Sequence, residues 1–189
     1  MPNIEKIKTT MQSAGVSAET LSQFDVPANH AYNPKQIVPF INKMDELLTK
    51  EQCLSIMEQQ GCNKVSANNA AIREFVKSCA GKSLEEKLTL LSESNVPHKV
   101  PCILNADGTL TVKFSHGIVD GKHKCGCSAL KKLTKEVYIA DVYCGCCGGH
   151  IRNTLENVLG IGLRLKDIIS SPLSSHGEKP CELLFEVIE

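Results

Sequence analysis

The stretch VPCILNADGTLTVKF, residues 100–114, is where the pattern of the chain changes. Val100, Cys102 and Leu104 alternate with their neighbours, and so do Leu110, Val112 and Phe114. Apolar residues at every second position line one face of a strand. Asp107-Gly108 between the two runs is a hairpin turn signal. A β-hairpin is therefore expected here, and the chain on either side follows different rules.

Upstream the spacing is helical. Ile4, Ile7 and Met11 share a face. Asn33-Pro34 reads as a cap with proline at the first helical position, although Pro39 would push the start later. Ile37, Phe40, Ile41, Met44, Leu47 and Leu48 form an apolar stripe. Thr49 to Gln60 reads as another helix, stopped by Gly61. Ile72, Phe75, Val76 and Cys79 make a further stripe, and Ser83 with Glu86 is a capping box for a short helix through Leu91.

Downstream, EVYIADVY (136–143) reads as a third strand. A helix beginning near His150 is expected next, with Ile151, Leu155, Val158 and Leu159 on one face and Gly160 as its stop. Ile161, Leu163 and Leu165 then alternate in one strand, and Cys181, Leu183, Phe185 and Val187 in a last one. The fold class is α+β: a helical half (1–97), then an antiparallel sheet with a packed helix (98–189), as two parts or one continuous domain.

Composition narrows the function. The 189 residues carry 21 basic and 21 acidic side chains. Zero formal charge argues against a protein built to grip nucleic acid or an anionic bilayer. No window approaches the ~20 apolar residues of a membrane span, and MPNIEKIKTT lacks the apolar core of an export signal. A cytoplasmic protein is expected, and in that compartment thiols stay reduced.

Ten cysteines are too many for packing alone, and five fall between 125 and 147. Cys125-Gly126-Cys127 is followed sixteen residues later by Cys144-Gly145-Cys146-Cys147, with His150 three further on. Zinc takes four thiolate or imidazole ligands at about 2.0–2.3 Å. Ligand sulfurs then sit roughly 3.8 Å apart, whereas a regular strand separates side chains at i and i+2 by about 6.5–7 Å. The chain must tighten between paired cysteines, and a central glycine permits that. The candidate metal ligands are Cys125, Cys127, Cys144, Cys146, Cys147 and His150, for zinc or, with four thiolates, an iron–sulfur cluster. Lys122, Lys124, Lys131, Lys132 and Lys135 lie close enough in sequence to offset thiolate charge.

Cys147 and His150 are also the candidate catalytic residues. A thiol beside a helix N-terminus is favoured as thiolate, and a histidine one turn on can act as its base. Gly148-Gly149 could admit an anion at the same helix start. His123, two residues before Cys125, is the one plausible substitute ligand among the other histidines, and His116, after the second strand, could reach the same loop. Cys53, Cys79, Cys102 and Cys181 fall on apolar faces and read as core; Cys62 has no assigned role.

Residues 125–189 resemble the C-terminal part of a group of bacterial cysteine-rich proteins. The matching residues are Cys144-Gly145-Cys146, Gly149, Leu155-Glu156, Leu159-Gly160, Ser170-Ser171, and Cys181 with Phe185. The tail is similar, more distantly, to the 4-vinyl-reductase-type ligand-binding domain and the thiazoline-carboxylate hydrolase-like family. The resemblance covers about a third of the chain and implies a sensor-like α+β domain that binds metal or a small ligand. Cys147 and the longer loop at 174–179 depart from that pattern. Three functions compete: a metal-binding protein, an enzyme or redox protein using Cys147, and a small-ligand sensory or interaction module. The last requires a pocket between helices and sheet.

Overall fold

A computed structural model describes residues 2–26, 34–61, 69–96, 99–127, 130 and 138–188. Helices come first: α1 (Ile4–Ser13), α2 (Ala18–Ser22), α3 (Pro34–Leu47), α4 (Lys50–Glu58), α5 (Ala70–Ser78) and α6 (Leu84–Glu93). Their starts follow from local chemistry. Asn3, Ser17, Thr49, Asn69 and Ser83 each accept a backbone N–H of the helix they precede. Thr49 with Gln52 and Ser83 with Glu86 complete reciprocal capping boxes. Proline does not delay α3, which begins at Pro34 and runs through Pro39. Pro39 is exposed and is the sixth residue of the helix, and its missing N–H removes one hydrogen bond, to the carbonyl of Lys35.

The strands follow: β1 (Cys102–Leu104), β2 (Leu110–Phe114), β3 (Ile118–Val119), β4 (Lys122–His123), β5 (Gly162–Ser170) and β6 (Cys181–Ile188). The main sheet has the order β1-β2-β6-β5, antiparallel throughout. Leu104 pairs with Leu110 across the Asp107-Gly108 turn, as the alternation predicted. β3 and β4 make a separate hairpin. Helix α7 (Gly145–Leu159) closes at Gly160, whose φ of 65° is left-handed. The fold is α+β, with N-terminal helices leading into a four-stranded sheet packed by one long helix.

Two expectations downstream fail. The described part of the 136–143 segment, from 138 on, is not a strand. Residues 138–140 are irregular and Asp141–Cys144 is a 3-10 turn; 136 and 137 lie outside the described residues. The side chain of Asn42 takes the place of a partner strand, donating to Tyr138 O (3.2 Å) and accepting from Ala140 N (2.8 Å). Ile139, Ala140, Val142 and Tyr143 are buried, so the apolar run reflects burial rather than strand pairing.

The other failure is the start of α7. The helix begins at Gly145, not near His150, and takes in Cys146, Cys147, Gly148 and Gly149. Glycine is a poor helix former, but here close packing overrides propensity. A Cβ on Gly149 would lie 1.7 Å from Glu58 O of α4, one on Gly145 2.8 Å from Met57 Cβ, and one on Gly148 2.6 Å from Leu165 Cδ2 of β5. These glycines let α7 press against α4 and the sheet at once. Gly148 and Gly149 are buried there, which corrects their reading as an anion cradle.

Glu58 fixes the same junction. Its carboxylate takes the Arg152 guanidinium at 2.7 Å and accepts from Leu165 N at 3.1 Å, linking α4, α7 and β5. Ile151, Leu155, Val158 and Leu159 share one buried cluster with Leu110, Val112, Leu183 and Phe185 of the sheet and with Ile7, Ile41, Leu54 and Ile72 of the helices. No helix among the described residues is long and apolar enough to cross a membrane.

Candidate functional site

A cavity of about 810 Å3 lies where the first turn of α7 meets the end of β2 and the loop leaving β4. Its wall includes all six residues singled out as ligands: Cys125, Cys127, Cys144, Cys146, Cys147 and His150. Two distant segments of sequence thus face one space. Tyr143 joins them, its hydroxyl 3.1 Å from Cys127 Sγ.

The thiols differ in their surroundings. Cys125 and Cys127 are half-buried in the loop, and Cys127 N donates to Cys125 Sγ at 3.4 Å, so the first Cys-Gly-Cys does fold back on itself. Gly126 packs on the His116 ring, with a Cβ there lying 2.4 Å from it. Cys144 is buried at the N-cap of α7, behind Asp141, whose carboxylate accepts from Ser171 Oγ at 2.8 Å. Cys146 is buried and donates its thiol to Gln60 O at 3.3 Å. Cys147 is half-buried at the third residue of α7, inside the helix rather than ahead of it.

Burial sets the charge of the inner wall. It pushes the Cys144 thiol well above its ordinary range, with Cys147, Cys125, Cys181 and Asp141 adding to the effect. Cys181, at the edge of the same group, is pushed up to about 12 by burial, then by Cys125 and Asp141. Both are neutral thiols at pH 7, where loss of a proton would bury an anion. Among the described residues no group of three or more His, Cys, Asp or Glu side chains is arranged to hold a metal ion.

Two lysines on this wall escaped the sequence reading, which looked only beside the cysteines. Lys99 and Lys113 both line the cavity. Lys99 Nζ donates to Ser92 O at 3.0 Å, and Lys113 Nζ lies 3.7 Å from Glu182. Phe114 and Val100, predicted only as strand residues, are also in the wall. No carboxylate is among the described lining residues. The signal for Phe114 and Lys113 was present in the β2 alternation, but what the end of β2 faces is a tertiary fact.

The remaining candidates divide. His123 Nδ1 is 2.9 Å from Ser115 Oγ, and His116 stacks edge-on to Phe114 at 5.3 Å; both histidines line the cavity. Cys53 and Cys79 are buried in the helical core as expected, Cys53 donating to Met44 O at 3.4 Å and pushed up to about 12 by burial. Cys102 is half-buried, donates to Val100 O at 3.2 Å and is likewise at about 12. Lys122 and Lys124 are exposed. Cys62, Lys131, Lys132 and Lys135 lie outside the described residues.

No family model matches this chain, and no curated protein matches it. Among solved structures it is similar to the crystal structure of a trafficking protein particle complex subunit 3 from Naegleria fowleri, covalently bound to palmitic acid. The two share 14% identity over 98% of this chain and 96% of that one, with a TM-score of 0.33, a level of likeness that by itself assigns this chain neither a family nor a ligand.

Proposed function

We propose that this protein is a binding module for a small, mainly apolar molecule with an anionic group. The observation that carries the reading is the cavity at the helix–sheet junction. Its 810 Å3 falls within the roughly 300–1,000 Å3 of small-molecule sites. Val100, Phe114 and Ile151 supply apolar wall, and the neutral Cys144 thiol adds to it. Lys99 and Lys113 bring positive charge to the wall, Lys113 shared with Glu182 at 3.7 Å, and no carboxylate is among the described lining residues. Equilibrium binding of palmitate and of the neutral alcohol of equal length tests this, read by displacement of an apolar fluorescent dye. Palmitate is expected to bind more tightly than the alcohol, and Val100→Phe to weaken both by filling the space. Absence of binding, or binding that Val100→Phe leaves unchanged, overturns the reading.

A second reading uses the same wall for zinc or an iron–sulfur cluster. It is favoured by one observation, that all six proposed ligands line a single cavity. Four thiols would have to release their protons to solvent, which binding of the cation itself drives. Metal analysis of purified protein, with Cys125→Ser and Cys144→Ser as controls, separates the readings. About one zinc per chain, lost in both variants, supports the metal.

A further inference from the structure

Cys144 and Cys147 are three residues apart at the start of α7, and Cys144 is already in right-handed helical conformation (φ −67°, ψ −12°). Helical geometry places Cα atoms at that spacing about 5 Å apart, and 3-10 geometry about 6 Å. A disulfide spans Cα separations of roughly 4.4–6.8 Å. Side chains at i and i+3 share a helix face, whereas those at i and i+2 do not. Cys147 is therefore the natural neighbour of Cys144, and Cys146 turns its thiol to Gln60 O instead. Both Cys144 and Cys147 line the cavity, but Cys144 is 6% exposed and Cys147 is half-buried. Of the two, Cys147 is the more accessible.

We propose that Cys144 and Cys147 are a redox-active dithiol pair that reduces a low-molecular-weight disulfide entering the cavity, with Cys147 attacking and Cys144 resolving. The step balances. The Cys147 thiolate attacks one sulfur of the substrate; a Cys147–substrate disulfide forms, the substrate S–S bond breaks, and the departing thiolate takes a proton. Cys144, giving its proton to the second leaving thiolate, then attacks Cys147 Sγ. The products are the Cys144–Cys147 disulfide and two thiols: the protein pair is oxidised by two electrons and the substrate reduced by two. The pair shares the cavity with the apolar ligand proposed above but does not depend on that ligand, and failure of palmitate to bind leaves it standing.

The test equilibrates the reduced chain with reduced and oxidised glutathione, quenches by alkylation and maps tryptic peptides. Cleavage after Lys135 and Arg152 keeps Cys144, Cys146 and Cys147 on one peptide. That peptide is expected to lose two hydrogens in one transition and to retain one alkylatable thiol, Cys146. Cys144→Ser should trap a single glutathionyl group on Cys147, Cys147→Ser should trap none on Cys144, and Cys146→Ser should oxidise as the parent does. The proposal is overturned by a disulfide from this peptide to Cys125 or Cys127, by oxidation that survives Cys147→Ser, or by no disulfide at any glutathione ratio. Mapping of the parent protein decides this even where a variant fails to fold.

Discussion

The tripeptide Cys-Gly-Cys occurs twice, and the two copies adopt different structures for different reasons. At 125–127 it is a half-buried loop whose glycine lies against the ring of His116. At 144–146 it is buried and begins a helix, and its glycine lies against Met57 of α4. The same three residues serve a turn in one place and a helix crossing in the other. A glycine between cysteines is therefore not in itself a mark of metal ligation. What it permits is set by the element that approaches it.

Alkali should give the largest effect, acting on the buried copy and the core. Cys53, Cys144 and Cys181 are held as neutral thiols, two of them up to about 12 and Cys144 well above its ordinary range. In the unfolded chain each ionises near pH 8.5. The folded state thus binds more protons than the unfolded state above that pH. Stability is full below it and falls as pH rises toward 12, by about 1.4 kcal/mol per pH unit for each such thiol. Urea unfolding at a series of pH values should show this slope, and Cys53→Ala should remove one thiol's share of it. A flat profile from pH 8 to 11 would contradict the burial.

Next comes Gly149→Ala. The added methyl meets a backbone carbonyl at 1.7 Å, which no rotamer relieves, so α4 and α7 must separate. Overpacking of this kind costs about 3 kcal/mol or more, well beyond the ~1 kcal/mol that alanine returns in helix propensity. The denaturant midpoint reads it directly. A variant as stable as the parent would mean the helices do not cross this closely.

The two motif glycines then test the comparison itself. Gly145→Ala meets Met57 Cβ at 2.8 Å in a buried crossing and is expected to cost about 1–2 kcal/mol. Gly126→Ala meets the side chain of the exposed His116 rather than a buried helix crossing, and is expected to cost below about 1 kcal/mol. Equal losses at the two positions would erase the distinction drawn between the copies.

Much of this was legible in the sequence where one physical rule acted alone. The β1–β2 hairpin followed from alternation plus Asp107-Gly108, and α6 followed from its capping box. The strands containing Leu163–Leu165 and Leu183–Phe185 were also legible. Legibility ended where a distant partner decided. EVYIADVY has a strand's β-branched and aromatic composition, but Asn42, about a hundred residues earlier, satisfies its backbone at 138 and 140. Gly145, Gly148 and Gly149 looked like a turn because their contacts with Met57, Leu165 and Glu58 are invisible along the chain. The six candidate site residues, read from two separate cysteine clusters, line one cavity. That the space is a cavity also walled by Lys99, Lys113 and Phe114 could not be read, because Lys113 and Phe114 end a strand whose surroundings are fixed only by the fold, and Lys99 lies in the irregular segment before β1.

The strand order β1-β2-β6-β5 has a bearing on how the molecule is made. β6, the last of the described strands, lies between β2 and β5. As the chain leaves the ribosome, the first hairpin and β5 have no common partner until residues 181–188 arrive. Joining β2 to β6 closes a long loop, which slows assembly. All the cysteines of 125–147 are synthesised before the strand that completes the sheet beneath them.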